Sequence, residues 1–561
     1  MMLQDPRTEQ YDAIVVGSGA TGGWAAKKLS EAGLKVALLE AGRQVTTDEF
    51  TEHMPRYKLE YRALSPEIVK TRPIQRMCYA CMEYNYDWFV NDLENPYSTP
   101  EDKPFTWQRL RILGGRTLVW GRQSYRLSDL DFKAAGHDGY GEDWPFSYDE
   151  IAPYYDQVEN YIGISGQAEN NPALPDSQFM PPMAMSCGEQ MLRERVRDKF
   201  GRTVTIGRTA ILTRDHNGRG ACHYCGPCER GCITLSYFSS PFTTVADALK
   251  TGNCTLITDA IVSHVNMDSQ TNKARGVTFI DRSSHQSHEI SARTVILCAQ
   301  ALESTRILLN SATREHRTGL ANSSGLLGKY LMDHAVGAGA SGELPHFDTK
   351  ASASDPSRPN GVYIIRFRNL KNGPQHHRFI RGYGFQGRSS ANFNFEAEGY
   401  GESFKRSVRN GIYGIRLTGF GESLPRLDNY CEIDSQLKDA WGIPALRISM
   451  THGPNEKAMM EDAAVTAAEM LESIGTRNIT VNSHLAMPGM AIHEVGTARM
   501  GNDATKSVLN AFNQTHDITN LFVMDGACFV SSGCQNPTLT MMALTSRACD
   551  HLIERFRRGE G

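Results

Sequence analysis

Short, wholly apolar stretches alternate with helical patterns near the start of the chain. Ala13–Val16 is an uninterrupted apolar run, which is typical of a strand buried on both faces of a parallel sheet. Trp24–Ala32 follows with a helical pattern that ends at Gly33, and Val36–Leu39 is a second apolar run that ends at Glu40. These positions predict a strand–helix–strand unit.

The same alternation returns in two distant parts of the chain. Thr294–Cys298 is an apolar run followed by a helical pattern from about Leu302. Leu521–Met524 is another, and a long amphipathic pattern begins after Asn536. We therefore expect N-terminal, central and C-terminal segments to build one interrupted α/β layer.

Between about Ala340 and Ile474 the pattern changes to strict alternation. The stretches GVYIIRFRN and NGIYGIRLTGF predict antiparallel strands with one exposed face, and a helical pattern ends at Gly475. A chain of 561 residues is too long for one core, which supports two lobes. The predicted fold class is α/β. A Rossmann-like lobe is formed by residues 1–55, 100–130, 240–340 and 485–561, and a discontinuous α+β lobe, an antiparallel sheet with helices, by residues 56–99, 131–239 and 341–484.

Composition and charge narrow the class of protein. Hydrophobic residues make up 40% and charged residues 22%, as in ordinary globular proteins. A net charge of −4 and a pI of about 6.5 argue against nucleic acid or an anionic membrane as partner. We expect no membrane span, and the polar first residues predict no secretory signal on this chain.

A glycine fingerprint follows the first predicted strand. Gly17 permits a tight turn, Gly19 lets the backbone approach a pyrophosphate, and Gly22 lets the helix pack on the strand. Glu40 lies about 20 residues further on, where an acidic residue accepts hydrogen bonds from a ribose. The pattern predicts dinucleotide binding; the alternative is a glycine-rich turn without a ligand. The pair Gly114–Gly115 suits a loop whose backbone lies against a flat cofactor.

Four cysteines are close together in the segment ACHYCGPCERGC. Cys222, Cys225, Cys228 and Cys232 have the spacing C-x2-C-x2-C-x3-C. This compact spacing is typical of iron–sulfur proteins, whereas structural zinc usually takes two pairs separated by a longer loop. Zinc and free or disulfide-bonded thiols remain as alternatives. The pair Cys78 and Cys81 is assigned no metal. The scattered cysteines are interpreted as buried apolar residues: Cys187, Cys254, Cys298, Cys431 and Cys549.

Several motifs together resemble the glucose–methanol–choline (GMC) oxidoreductases. They are the glycine fingerprint, the double-glycine loop, HEVGTARMG from His493, VMDGACF, and NPTLT from Asn536. The resemblance implies FAD and the oxidation of an alcohol by hydride transfer. Carried over by motif, the FAD contacts are Gly17, Gly19, Ala20, Gly22, Glu40, Gly114, Gly115, Asp525, Gly526, Asn536, Pro537 and Thr538.

The same resemblance implies a catalytic pair, His493 and Asn536. The chemistry agrees, because alcohol oxidation needs a base for the hydroxyl proton and a second polar group to orient the oxygen. The alternatives are a hydrogen-bonded core histidine and an asparagine that caps a helix. Some relatives attach FAD covalently to a histidine, and Val119 stands at that position, so we expect FAD to bind noncovalently.

The cysteine segment resembles that of iron–sulfur FAD-dependent sugar dehydrogenases, and the chain resembles the large subunits of glucoside 3-dehydrogenases. This implies a [3Fe–4S] cluster on Cys222, Cys228 and Cys232, favoured over a [4Fe–4S] cluster that also uses Cys225. It further implies oxidation of glucosides at C3, a small subunit that carries the export signal, a cytochrome-type acceptor and a periplasmic location; without export the chain is cytoplasmic.

Two other functions remain open from the sequence. One is an oxidase of the pyranose-oxidase type that uses O2, with structural cysteines. The other is a nonenzymatic flavin- or metal-containing subunit for electron transfer. The cysteine spacing argues against the first, and the presence of both His493 and Asn536 argues against the second.

Overall fold

The computed structural model describes residues 10–560 except residues 63, 346, 348–356, 393–398 and 410. The predicted strand–helix–strand unit at the start of the chain is confirmed. The strands are β1 Gln10–Val16, β2 Val36–Leu39, β3 Ile164–Ser165, β4 Phe179–Met180, β5 Val204–Ile206, β6 Cys254–Ile257, β7 Ala260–Asp268, β8 Lys273–Asp281, β9 Ser287–Leu297, β10 Ala335–Glu343, β11 Val362–Ile364, β12 Tyr383–Asn392, β13 Ile412–Gly421, β14 Tyr430–Lys438, β15 Pro444–Ser449, β16 Arg477–Asn482 and β17 Leu521–Val523.

The helices begin and end close to the sequence signals for them. Ser65 and Ser186 accept N-cap hydrogen bonds, and Gly201 ends a helix in the left-handed conformation. The helices are α1 Ala20–Glu31, α2 Pro66–Thr71, α3 Asp129–Phe132, α4 Ala134–Asp138, α5 Tyr148–Ile162, α6 Cys187–Phe200, α7 Thr244–Lys250, α8 Ala301–Asn310, α9 Gly401–Arg409, α10 Pro454–Ser473 and α11 Thr538–Arg557.

The first sheet joins segments from three distant parts of the sequence. Its order is β6–β2–β1–β9–β8–β7, and β17 pairs with β9. The strands β6, β2, β1, β9 and β17 run parallel, whereas β9, β8 and β7 form an antiparallel meander. Ala13, Ile14 and Val15 of β1 are fully buried, and burying a valine or isoleucine side chain contributes about 1.5–3 kcal/mol. This burial on both faces accounts for the uninterrupted apolar run.

The second sheet is antiparallel, as the alternating pattern predicted. Its order is β16–β10–β13–β12–β11–β5. One face packs against α10, where Met459, Met460 and Ala463 are fully buried beside Leu417 of β13. The α/β class with a Rossmann-like sheet and an antiparallel sheet is therefore confirmed, while the residue boundaries of the two lobes stay a prediction.

Buried ion pairs cross from the second sheet to the helices around residues 129–138. Arg381, which lies just before β12, contacts Asp138 at 2.5 Å and Glu422 at 3.1 Å. Because each of these side chains is almost completely buried, removing one partner would leave a buried charge uncompensated. The Arg381–Asp138 pair thus ties the second sheet to helix α4. No helix among the described residues is long and apolar enough to cross a membrane.

Candidate active site

A cavity of about 570 Å³ lies between the two sheets and is lined by most of the predicted cofactor-binding and catalytic residues. It begins at the carboxyl ends of β1 and β2 and extends to the face of β12 and β13. Carboxyl ends of parallel strands are where open α/β sheets bind ligands. The predicted residues that line it are Gly17, Gly19, Ala20, Glu40, Gly115, Val119, His493, Asp525, Gly526, Asn536, Pro537 and Thr538.

The glycine fingerprint forms one end of this cavity. Gly17 has φ +95°, and a Cβ there would lie 2.5 Å from the carbonyl oxygen of Cys298. A Cβ on Gly19 would meet no atom within 4 Å, so the space above its backbone belongs to the cavity. Helix α1 begins directly after Gly19 and has no acidic side chain in its first turn. Free backbone N–H groups at a helix N-terminus suit a pyrophosphate.

Gly22 and Gly114, carried over as FAD contacts, do not line the cavity, and Gly22 has the packing role that its place in the fingerprint predicts. A Cβ on Gly22 would lie 1.8 Å from the carbonyl oxygen of Gly17. One on Gly114, which has φ +88°, would lie 2.3 Å from Pro241. Both glycines therefore serve close packing of the backbone beneath the site.

Glu40 ends β2 with its carboxylate buried in the cavity wall. One oxygen accepts from the backbone of Gly42 at 2.8 Å, and the other from the hydroxyl of Ser18 at 2.5 Å. The Ser18 hydroxyl in turn accepts from the backbone of Gly114 at 2.8 Å. Burial raises the pKa of Glu40, and these hydrogen bonds oppose that shift. The carboxylate thus joins the fingerprint to the double-glycine loop.

The open space above Gly19 and the free N–H groups at the start of α1 fit the pyrophosphate of a dinucleotide such as FAD. Six side chains of the cavity wall also have a buried nitrogen or oxygen atom that makes no hydrogen bond within the described chain. They are Gln108, Arg109, Arg111, Arg122, Gln300 and Glu303.

His493 and Asn536, 43 residues apart in sequence, meet at the other end of the cavity. The Nε2 atom of His493 lies 3.2 Å from the Nδ2 atom of Asn536. Burial, with smaller effects of His334 and Arg116, lowers the pKa of His493 well below its usual range. The imidazole is therefore neutral at physiological pH, as a general base must be.

The loop that carries His493 is held by a carboxylate that sequence reasoning missed. Both oxygens of Asp333 accept backbone N–H bonds, from His493 at 2.9 Å, Gly489 at 2.8 Å and Ala491 at 3.2 Å. Arg116 forms a two-pronged ion pair with the buried Glu494, at 2.7 and 3.0 Å. The available signals were Arg116, directly after the double glycine, and Glu494, within the motif HEVGTARMG; no sequence pattern indicated Asp333.

Asn536 is not the cap of helix α11. The N-cap position is occupied by Pro537, and no side-chain capping bond is made there. Instead, Asn536 Oδ1 accepts from Nε2 of Gln386 on β12 at 2.8 Å. The second sheet thus contributes directly to the geometry of the site, which the sequence did not indicate.

The four cysteines of the segment 222–232 line one separate, narrow cavity of about 10 Å³, room for about one water molecule. Burial and neighbouring thiols raise the pKa of Cys225 to about 11. Among the described residues, no three His, Cys, Asp or Glu side chains are arranged to hold a metal ion. The donor types suit iron and sulfur, and the metal assignment stays a prediction.

The remaining cysteines follow the sequence interpretation with one exception. Cys254, Cys298, Cys431 and Cys549 are buried, whereas Cys187 at the start of α6 is exposed. All of the cysteines are free thiols in this structure. The expected buried role is therefore wrong for Cys187, which belongs to the outer face of an amphipathic helix.

The fold and the site define a flavin-dependent alcohol oxidoreductase, and comparison with known proteins agrees. Family models of GMC oxidoreductases match residues 11–336 and 425–545. The chain belongs to the GMC oxidoreductase family, whose members bind FAD and act on CH–OH groups. This confirms the resemblance inferred from the motifs.

Two relatives match over nearly the whole chain. The 2-methyl-1,2-propanediol dehydrogenase of Mycolicibacterium austroafricanum is 32% identical and covers 98% of this chain and 96% of its own length. The fructose dehydrogenase large subunit of Gluconobacter japonicus is 27% identical, covering 98% and 99%. The crystal structure of pyridoxine 4-oxidase from Mesorbium loti superposes with a TM-score of 0.60 at 17% identity, covering 97% and 99%. This last likeness shows the fold alone.

Two glycine variants should separate folding from cofactor binding. Gly19→Ala should leave the stability of the apoprotein unchanged, because its Cβ meets no atom, but should weaken FAD binding at least tenfold by occupying the pyrophosphate position. Gly22→Ala should destabilise the apoprotein by about 1–3 kcal/mol or more, because its Cβ overlaps Gly17.

Thermal denaturation of apoprotein and titration with FAD would measure the two effects.

Acid precipitation of the wild type should leave the yellow flavin in the supernatant, because Val119 cannot form a covalent link. Equal FAD affinity of Gly19→Ala and wild type, or flavin retained in the precipitate, would contradict the assignment.

Proposed function

We propose that this protein is an FAD-dependent sugar or glycoside dehydrogenase that oxidises a secondary hydroxyl, at C3 of glucosides, to give 3-keto sugars. The observation that carries the proposal is the pair His493 and Asn536, 3.2 Å apart in the cavity that also holds the dinucleotide fingerprint. Oxidation of an alcohol requires a neutral base that takes the hydroxyl proton and a donor that holds the same oxygen atom, and this pair supplies both.

Each residue of the pair has a distinct task. His493 Nε2 accepts the hydroxyl proton, while an N–H of Asn536 donates to the same oxygen and fixes its direction. FAD, when bound, accepts the hydride that leaves the carbinol carbon. Asp333 and Glu494 keep the His493 backbone in place, so the base does not move as its charge changes.

The substrate class is inferred from the residues and the relatives together. Next to the catalytic pair the cavity is lined by Gln386 and Phe420, an amide and an aromatic ring that suit hydroxyl groups and a sugar face. The relatives are named for fructose and for a small diol. Oxidation at C3 rests on the resemblance of the motifs to glucoside 3-dehydrogenases.

Variants of the catalytic pair test this proposal. His493→Ala should slow anaerobic flavin reduction by a glucoside about 100-fold or more, the usual effect of losing a general base. Asn536→Ala should slow it less, because the base remains. Stopped-flow absorbance measures the rates, and NMR of the wild-type product should show a keto carbon at C3.

The assignment of the pair fails if His493→Ala, with normal FAD content, reduces flavin at the wild-type rate. The regiochemistry fails separately, if the product carries its carbonyl at another carbon. Flavin bleaching by 2-methyl-1,2-propanediol but by no sugar would instead place the substrate among small diols.

We further propose that the segment 222–232 binds an iron–sulfur cluster, with [3Fe–4S] on Cys222, Cys228 and Cys232, through which electrons reach a one-electron acceptor. Support comes from the spacing of the cysteines and from their convergence on one cavity. Pro359 lines both that cavity and the larger one, so the two sites share a wall. In an iron–sulfur cluster, several iron and sulfide atoms separate the sulfur atoms of the cysteine ligands. These cysteine sulfurs therefore lie further apart than cysteine sulfurs that surround a single metal ion.

Metal analysis of two cysteine variants tests the cluster. Purified wild type should contain iron and acid-labile sulfide, and Cys228→Ser should lose both while keeping FAD. Cys187→Ser is the matched control, because this exposed cysteine lies outside the segment. Wild type without iron after anaerobic purification, together with turnover on O2, would favour the oxidase alternative with structural cysteines.

The surface beside the cysteine segment supports a protein partner. Residues 50–85 lie against the segment: Thr51 donates to the carbonyl of Arg230 at 2.9 Å, and Ile233 donates to Glu52 at 2.6 Å. This region exposes an unusual number of large apolar side chains, which is typical of interaction surfaces. They are Met54, Tyr57, Tyr61, Leu64, Val69, Met77 and Ile233.

We propose that this surface receives a cytochrome-type acceptor, and that a small subunit which carries an export signal accompanies the chain to the periplasm. One relative is itself named as a large subunit. Electron transfer falls steeply with distance, so an acceptor gains from docking where the cysteines lie nearest to the surface.

A charge placed on this surface tests the acceptor site. Ile233→Glu should slow reduction of cytochrome c at least several-fold, because the charge opposes apolar docking, and should leave turnover with a small dye unchanged. Leu427→Glu, at an equally exposed leucine elsewhere, is the control. The surface assignment is wrong if both variants reduce cytochrome c as the wild type does.

A further inference from the structure

Four side chains form a continuous hydrogen-bonded chain through the catalytic pair. Gln386 Nε2 lies 2.8 Å from Asn536 Oδ1, and Asn536 Nδ2 lies 3.2 Å from His493 Nε2. On the other side of the imidazole, His493 Nδ1 lies 3.0 Å from Nδ1 of His334. The chain begins on β12 of the second sheet and ends just before β10.

Only two directions of donation are consistent with these contacts. A neutral imidazole has one donor nitrogen and one acceptor nitrogen, and an amide has a donor and an acceptor end. If donation runs from Gln386 towards His334, His493 accepts at Nε2 and carries its proton on Nδ1. If it runs the opposite way, His493 Nε2 is protonated and cannot act as a base.

The amide end of the chain distinguishes the two directions. Gln386 Nε2 donates to Asn536 Oδ1 at 2.8 Å, which leaves the Nδ2 group of Asn536 to donate to His493 Nε2 at 3.2 Å. His493 Nε2 is then an acceptor and its proton lies on Nδ1, 3.0 Å from Nδ1 of the buried His334. The Nδ1 atom of His334 therefore accepts from His493.

We propose that His334 and Gln386 are positioning residues that set the tautomer of His493, so that its Nε2 is the free base facing the substrate. His334 accepts a hydrogen bond from the Nδ1–H group of His493. It continues to accept this hydrogen bond when His493 becomes positively charged. Gln386 fixes the amide of Asn536 with its N–H groups towards the reacting oxygen. This inference rests on the proposed role of His493 as base.

Two substitutions of His334 test the tautomer directly. The amide oxygen of His334→Asn can take the place of Nδ1 and accept from His493, whereas His334→Leu fills similar space without an acceptor. We expect flavin reduction to fall about 100-fold or more in His334→Leu, with KM nearly unchanged, and to stay within about tenfold of wild type in His334→Asn.

Imidazole ¹⁵N NMR of histidine-labelled protein, with His493 assigned by its loss in His493→Gln, gives a second readout. Nδ1 of His493 should be protonated in wild type and in His334→Asn, and Nε2 in His334→Leu. Equal loss of activity in both variants, or a proton on Nδ1 in His334→Leu, would overturn the inference. Wild-type rates in His493→Ala would instead refute the base assignment itself.

Gln386 provides an independent test if His334→Leu does not fold. A carboxylate can only accept, so Gln386→Glu should turn the N–H groups of Asn536 away from His493 and lower activity at neutral pH. Protonation of the new carboxyl restores a donor, so activity should rise as the pH falls. Gln386→Met should show no such rise, and identical pH profiles for the two variants would contradict the proposal.

Discussion

The buried carboxylate of Asp333 is the contact on which the geometry of the site depends. It accepts three backbone N–H groups from residues 489–493 and so determines where the His493 side chain starts. Burial, with a smaller effect of Glu494, raises the pKa of Asp333 to about 7, and the three N–H bonds oppose this shift. Loss of these N–H groups would leave buried acceptor oxygens without partners, which costs about 1–3 kcal/mol for each group. The backbone contacts of Asp333 thereby determine the position of the base His493.

The sequence predicted those features of the fold and the site that depend on short local patterns of residues. Buried strands such as Ala13–Val16, the turn at Gly17 and the positions of the family motifs follow from short stretches of residues. The structure assigns Gly114 to backbone packing and not to the cavity wall, because which side of a glycine is crowded depends on residues distant in sequence, such as Pro241. Family resemblance found His493 and Asn536 where periodicity alone could not.

The residues that sequence reasoning missed act across long separations. Gln386 reaches Asn536 over 150 positions, and His334 reaches His493 over 159. No local pattern marks a glutamine on an alternating strand as part of a site. The register of the strand pairing decides whether such a glutamine belongs to the site. Gln386 lies opposite Thr418 in the pairing of β12 with β13, and Phe420 of β13 also lines the cavity. The cysteine segment is the opposite case, since the spacing of its residues is informative from the sequence alone.

We propose that hydride leaves the C3 carbinol carbon of a glucoside while His493 takes the hydroxyl proton. A direct test mixes the oxidised, FAD-loaded protein anaerobically with a methyl glucoside that carries deuterium only at C3, beside the unlabelled sugar. Both sugars should bleach the flavin, and the deuterated sugar should do so severalfold more slowly. Equal rates for the two sugars would contradict oxidation at C3, and no bleaching by either would contradict the proposed substrate class.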